Sequence, residues 1–255
     1  MALKTPSIVT WMPARSHRLT EIDNLSHPEQ ALDPPPYLVP HSQEAIRMLY
    51  RDADLLVVDK PTLLLSVPGR HPLNRDCLIE RLDAHYPGVV AVHRLDLDTS
   101  GVMIIPRNRE SLSRLAKAFQ GRMIEKTYIA RVIGSIRNDT GTIDLPLTKD
   151  WPNRPRQKVC FEKGKPAITH WRVLSRENNT SLLELSPETG RSHQLRIHLN
   201  AIGHAILGCD FYAPEAVLAR APRLLLHASR IRFAHPTSGA IITAFSPPKC
   251  MNDYG

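Results

Sequence analysis

The sequence predicts an α+β protein built on a largely antiparallel sheet. Three observations carry this. Most apolar runs are short, rich in β-branched residues and bounded by turn signals, as at residues 102–105 and 168–174. Few stretches repeat apolar residues at helical spacing, and glycine or proline punctuates their ends. The strand-like runs mostly follow one another directly, with few strand–helix–strand units.

In chain order, residues 1–45 contain seven prolines, including Pro34, Pro35 and Pro36, with no sustained period. They read as an irregular arm ahead of a body that begins near Ile46. Residues 48–50 and 55–59 read as a hairpin over Asp52-Ala53-Asp54. Asn74 is expected to cap a helix carrying Leu78, Leu82 and Tyr86, stopped by Pro87-Gly88. Residues 89–92 and 102–105 both read as buried strands around a polar loop. Asn108 is expected to cap a second helix with Leu112, Leu115, Ala116 and Phe119 on one stripe, stopped by Gly121. Residues 126–134 form a strand, with Tyr128, Ala130 and Val132 on one face. Residues 151–158 are a basic, proline-broken loop. Residues 168–174 and 181–185 pair over a turn at 176–179. Thr189-Gly190 turns into a helix with Leu195, His198, Leu199 and Ile202 on one stripe, ended by Gly203. Pro214 suits the first position of a short helix. Residues 224–232 and 240–244 close the chain as a strand pair.

Composition narrows the function classes. The chain has 255 residues, enough for one large domain or two small ones. Its 42% hydrophobic and 23% charged residues are ordinary for a globular protein, and 5% aromatic content argues against recognition mainly by stacking. Residues 1–45 carry three basic and five acidic side chains, whereas the whole chain has a net charge of +8. A basic body under a slightly acidic leader fits a polyanionic partner, most plainly nucleic acid. Cys77, Cys160, Cys209 and Cys250 form no C-x-x-C pair, so reduced thiols in a cytosolic protein are expected. No apolar run approaches the roughly 20 residues of a membrane span, and the N-terminus lacks the apolar core of an export signal.

Two clusters carry the chemistry. The first is the loop His93-Arg94-Leu95-Asp96-Leu97-Asp98-Thr99-Ser100-Gly101, with two carboxylates, an arginine, a histidine and two hydroxyls between strand-like runs. Alone, it also fits a charged solvent loop turning at Thr99-Ser100-Gly101. The second is Gly190-Arg191-Ser192-His193-Gln194-Leu195-Arg196, at a helix start that favours an anion. Arg191 and Arg196 lie five residues apart and cannot share a face. His193 and His198 lack the spacing of a helical metal pair, which leaves packing or a phosphate contact. There is no G-x-G-x-x-G, no phosphate-binding loop of Walker type and no G-x-S-x-G, so no nucleotide cofactor has a visible cradle.

The first loop resembles the His-Arg-Leu-Asp-x-x-Thr-Ser-Gly signature of the RluA-type pseudouridine synthases. Further blocks extend the likeness over residues 49–246. They include Lys60-Pro61, Lys126-Thr127-Tyr128-Ile129-Ala130-Arg131, Asp150-Trp151-Pro152-Asn153-Arg154-Pro155, the block 189–196 and Arg223-Leu224-Leu225-Leu226-His227-Ala228. The middle blocks look most like members acting on both large-subunit ribosomal RNA and transfer RNA. The resemblance implies the pseudouridine synthase fold, a mixed, mostly antiparallel sheet split by a catalytic cleft and flanked by helices. It places the catalytic domain at residues 46–250. Family members with an S4 module carry it ahead of this body, and the arm 1–45 does not resemble one.

By the same resemblance Asp96 is the catalytic carboxylate, acting at the ribose either as a nucleophile on C1′ or by removing the 2′ proton. Both routes need its ionised form, which a nearby arginine favours. Arg196 matches the family arginine that pairs with it, Tyr128 the tyrosine that packs on the base, and Arg94 the arginine that fills the place of the extruded base. Flipping costs least in a loop, so a stem-loop substrate is implied. Arg154, Arg156, Lys158 and Arg191 are candidate RNA-backbone contacts, and Asp98 is left as a solvent or loop-capping residue. The resemblance implies no metal and no cofactor. The implied partner is RNA, ribosomal, transfer or both, with no membrane, and a monomer is expected. The family usually has glycine at Leu63, proline at Ala205 and aspartate at Cys209, which puts local loop shape and the RNA target in question. Two rival classes remain: a nucleoside or glycoside hydrolase, which usually needs a second acid near Asp96, and a catalytically weak RNA-binding or assembly factor on the same fold.

Overall fold

A computed structural model of the chain describes residues 38–40 and 42–249. Most of the proline-rich arm, up to residue 37, lies outside the described residues, as does Cys250.

The body opens with the expected hairpin, β1 (Arg47–Arg51) and β2 (Leu55–Lys60). Asp52 shapes its turn: Oδ1 accepts from the backbone N–H groups of Asp54 at 2.8 Å and Leu55 at 2.9 Å. α1 (Leu78–Asp83) follows, then β3 (Ser100–Pro106), α2 (Arg109–Gln120) and β4 (Glu125–Ile133). Next come β5 (Thr140–Asp144), β6 (Leu147–Lys149), a 3-10 turn (Trp151–Asn153) and β7 (Gln157–Val159). The chain continues through β8 (Ile168–Glu177), β9 (Thr180–Pro187), α3 (Gln194–Ala201) and α4 (Glu215–Leu218), and ends in β10 (Leu226–Ala234) and β11 (Ile241–Phe245).

One sheet of nine strands organises the body, in the order β1-β2-β3-β10-β4-β9-β8-β5, with β11 on the far part of β10. β6 and β7 form a separate two-stranded sheet. Every pairing is antiparallel except β3 with β10. That parallel ladder is short, His227 opposite Ser100 and Ala228 opposite Gly101, and the signature loop enters β3 beside it. Gly101 is obligatory there. Its φ is +118°, and a Cβ would fall 2.2 Å from the Ala228 carbonyl oxygen.

The two halves of the sheet bury different cores. β2 and β3 are covered on both faces. Leu56, Val58, Met103 and Ile105 meet Leu78 and Leu82 of α1, while Leu55, Val57, Val102 and Ile104 meet Leu115 of α2. Ala130, Val132, Leu183 and Leu185 pack under Leu195 and Leu199 of α3. Tyr128 touches the cores on both sides of this divide. Asn108 and Gly121 cap α2 as expected; the Asn108 side chain accepts from Ser111 N–H.

Several expectations fail, each for a local reason. Residues 89–92 are not a strand: Val90 N–H reaches β3 at the Pro106 carbonyl, at 3.4 Å, but the next inward β3 donor, Ile104 N–H, is taken by the His93 ring rather than by a backbone carbonyl. Asn74 does not cap α1. The chain at Cys77 is still extended against Leu65, so Cys77 is the cap, while Asn74 Oδ1 accepts from Val39 N–H at 3.0 Å. Pro214 is the cap of α4, not its first residue. β5, β6 and β7 were not anticipated; they are short, and proline or glycine hides their alternation. Leu63, where the family has glycine, has φ 57°, a left-handed backbone that glycine adopts without penalty.

Candidate active site

Residues 93–99 have no regular structure, yet hydrogen bonds pin them almost residue by residue. His93 Nε2 accepts from Ile104 N–H at 2.9 Å. Burial pushes that imidazole down to about 3, so it stays neutral and keeps this acceptor. Ser66 Oγ donates to the Leu95 carbonyl at 2.7 Å and accepts from Leu95 N–H at 3.1 Å. Thr62 Oγ1 donates to the Asp98 carbonyl at 2.8 Å, and Thr99 N–H closes a turn onto the Asp96 carbonyl at 3.2 Å. At the exit, Ser100 Oγ meets His227 Nδ1 at 2.9 Å, and His227 Nε2 donates to the Ser246 carbonyl at 3.0 Å. Asp96 therefore projects from a held backbone.

Lys60 is fully buried beneath this loop. Its Nζ donates to the carbonyls of Pro61, Leu64 and Leu97, at 2.9, 2.7 and 3.3 Å. Burial pushes the ammonium down to about 7, against the pull of Asp96, Asp98 and Asp59. Between about 7 and the ordinary 10.5 the unfolded chain binds the extra proton, so this site adds stability as pH rises through that window. The destabilisation of Lys60→Met relative to wild type is expected to be larger at the alkaline end of that range than near neutrality. Denaturant midpoints of both proteins at the two ends check this; a constant gap or a shrinking one would sink it.

The second cluster enters from α3. Gln194, buried, uses both ends of its amide. Oε1 accepts from Thr189 Oγ1 and Arg191 N–H, and Nε2 donates to the Ile168 carbonyl and Thr169 Oγ1. This fixes the turn that delivers His193 and Arg196. His198 is structural: Nε2 donates to the Leu145 carbonyl at 3.0 Å and Nδ1 meets Thr169 Oγ1 at 2.9 Å.

Arg196 is 1% exposed. Its Nε donates to Cys209 Sγ at 3.3 Å, its Nη2 pairs with Asp210, and its Nη1 lies 3.9 Å from Asp98 Oδ2. The direct pair with Asp96 expected for this arginine is not formed; Asp96 acts on the guanidinium only at longer range. Asp98 is likewise no solvent residue. It is partly buried in this cluster, and burial raises its pKa, with Asp210 adding to the rise and Arg196 opposing it. Where the family usually has an aspartate, Cys209 keeps a contact to the arginine and the neighbouring Asp210 supplies the carboxylate. The two arginines point apart as their spacing requires: Arg196 is buried and Arg191 exposed.

A cavity of about 240 Å³ joins the two clusters. Arg94, Asp96, Tyr128, Arg191, His193 and Arg196 all contribute to its wall. At about 30 Å³ per water this holds roughly eight waters, the scale of a single base rather than of a helical stretch of RNA. Among the described residues the Asp96 carboxylate makes no hydrogen bond within the chain; His193 Nε2 lies 3.9 Å from its Oδ1. Burial and the charge of Asp96 both push the Tyr128 phenol upward, so it remains protonated. Arg94 is exposed at the cavity wall.

Arg154, Arg156 and Lys158 lie apart from that wall, at the β6–β7 hairpin. Arg154 stacks 3.8 Å over the exposed Trp151 ring, and Lys158 pairs with Asp150 at 3.3 Å. Arg156 lies 6.0 Å over Phe211, whose ring also faces Arg196 at 5.2 Å, so the hairpin reaches the edge of the cluster. Sequence reasoning gave no role to Lys126, Thr99 or Asp210, nor to His193 beyond packing or phosphate. Lys126 stands two residues from Tyr128 on one strand face, a spacing that could have flagged it.

Comparisons with known proteins identify the family. The family model described as RNA pseudouridylate synthase matches residues 54–201. A dual-specificity RNA pseudouridine synthase RluA from Yersinia pestis is 50% identical over 193 residues, covering 75% of this chain and 94% of that protein. The protein of that name from Escherichia coli is 46% identical over 209 residues, covering 82% and 95%. The solved structure of human RNA pseudouridylate synthase domain containing 1 superposes with a TM-score of 0.69 at 28% identity, covering 85% of this chain and 89% of that one. This chain belongs to the RluA-type RNA pseudouridine synthases, isomerases that act on RNA.

Proposed function

We propose that this enzyme converts a specific uridine in a stem-loop of ribosomal RNA, transfer RNA or both into pseudouridine, with Asp96 acting at the ribose of a flipped nucleotide. The observation that carries this is the place of Asp96, without a hydrogen-bond partner among the described residues, at a base-sized cavity walled by Tyr128 and Arg196. In the reaction the N1–C1′ bond breaks, the uracil turns, and C5 bonds to C1′. C5 loses its proton and N1 gains one, so product and substrate are isomers. Asp96 either bonds to C1′ or takes the 2′ proton, and in both cases is regenerated. Tyr128 packs on the base while the cavity retains the freed uracil. Arg94, exposed at the wall, fills the gap left in the RNA stack.

Arg154, Arg156, Lys158 and Arg191 contact the RNA backbone, in keeping with the net charge of +8. The relatives from Yersinia pestis and Escherichia coli are dual-specificity enzymes by name, which favours a target in more than one RNA class. Residues 46–250 carry the reaction. The enzyme works as a monomer in the cytoplasm; no helix among the described residues is long and apolar enough to cross a membrane. Mapping pseudouridines in RNA from cells with and without the protein tests this. Loss of sites in both ribosomal and transfer RNA is expected. Loss in one class alone narrows the substrate, and no lost site overturns the proposal.

A further inference from the structure

His193 is the residue of the cavity that the reaction scheme leaves unused. It joins the turn after β9 to α3 in a left-handed backbone, φ 56° and ψ 16°, that a non-glycine residue adopts at a cost. Its side chain makes no capping hydrogen bond that would repay this. The strained backbone instead directs the ring between two partners. Nδ1 lies 2.6 Å from the Tyr212 hydroxyl, and Nε2 lies 3.9 Å from Asp96 Oδ1. Phe211 stacks on the ring, centroids 5.7 Å apart and planes 13° apart, and fixes its plane.

The hydrogen bonds around Tyr212 decide the tautomer. The Tyr212 oxygen accepts from the backbone N–H of Gln157 in β7 at 3.0 Å. Burial holds the phenol up at about 12, so its own proton is present and needs an acceptor. Among the described residues His193 Nδ1 is the acceptor within reach. Nδ1 therefore carries no proton and, in the neutral ring, Nε2 carries one. Burial disfavours the charged imidazolium; Asp96 and Asp210 oppose that, while Arg196 and Arg94 reinforce it. The outcome is a neutral imidazole with its single N–H on the nitrogen that neighbours the Asp96 carboxylate.

We propose that His193 is a positioning residue for Asp96. Tyr212 locks it as the Nε2–H tautomer, and that N–H closes onto one carboxylate oxygen when the uridine is seated. The other oxygen is left free for the ribose. This rests on the reading of Asp96 as the catalytic carboxylate. Catalytic hydrogen bonds often tighten once substrate is bound, and a 3.9 Å separation leaves Nε2 within reach of that closure.

Two amide replacements separate this role from a packing role. The glutamine amide reaches the place of Nε2, and the asparagine amide reaches that of Nδ1. H193Q keeps a donor toward Asp96, whereas H193N keeps only the partner of Tyr212. Single-turnover tritium release from RNA carrying 5-tritiated uridine is expected to fall about 10- to 100-fold in H193N, the order of loss for a misplaced catalytic group, with RNA affinity unchanged. H193Q should recover most of that loss. Tyr212→Phe should slow release with wild-type affinity, because the ring loses the partner that holds its orientation, and nitrogen NMR of labelled histidine should show the His193 proton on Nε2 in the wild-type protein. The proposal is overturned if H193N retains the wild-type rate, if H193Q is the worse of the two, or if the wild-type imidazole carries its proton on Nδ1. Asp96→Asn, run alongside, separates the two readings: full activity there removes the premise, whereas its inactivity beside an active H193N removes only the role of His193.

Discussion

Asp96→Asn eliminates tritium release from RNA carrying 5-tritiated uridine, by about 10,000-fold or more, the scale seen when the one group that does the chemistry is removed. Asparagine fills the same space. It neither attacks C1′ nor takes a proton, so both routes fail together. The fold should tolerate the change, because the carboxylate makes no hydrogen bond to the described residues. Its backbone is held independently by Ser66, Thr62 and Thr99. RNA affinity should survive, since the cationic side chains of the cavity wall and hairpin are untouched. Wild-type turnover in the Asp96→Asn protein would end the assignment, and inactivity through unfolding would show that the loop needs the charge.

Arg196→Met destabilises the protein by about 3 kcal/mol and abolishes most activity. Removing one partner of a buried ion pair leaves the other charge uncompensated, at a cost of about 3–5 kcal/mol. The lower end applies because Asp210 is 47% exposed, and water relieves part of its loss. Asp98 takes the larger share. Its side chain is 21% exposed, burial already raises its pKa, and Arg196 is what opposes that rise. Methionine fills the volume, so the change measures electrostatics more than a cavity. Arg196→Lys should recover little, because a single ammonium cannot serve Cys209, Asp210 and Asp98 as one planar fork does. Denaturant unfolding with an unchanged slope reads the effect. A shift below about 1 kcal/mol would show that the cluster is solvated and the pairing weak.

Much of the architecture was legible because local patterns and tertiary environment agree. The β1–β2 hairpin, α2 with its Asn108 and Gly121 caps, the β8–β9 pair and the β10–β11 pair all follow from turn chemistry and apolar spacing. Residues 89–92 look as much like a strand as residues 102–105 do. Whether they pair depends on what meets the β3 edge beside them, and there a side chain, the His93 ring, takes the Ile104 N–H in place of a backbone carbonyl. β5 was missed because an edge strand with one exposed face needs little hydrophobic alternation.

Chemistry followed the same division. The residues between His93 and Gly101, and between Thr189 and Arg196, marked two candidate segments, and their resemblance to a family signature implied the reaction class, since residue types and their order along the chain are one-dimensional information. Which charge neutralises which was decided only by folding. The guanidinium of Arg196 is shared by Asp210 and Asp98 rather than taken by Asp96, and Asp96 instead faces an imidazole whose proton is set by Tyr212. Those choices turn on separations of a few ångströms and on burial. Both arise where α3 and the segment after it pack against a loop about 100 residues away in sequence, and no spacing within either segment encodes them.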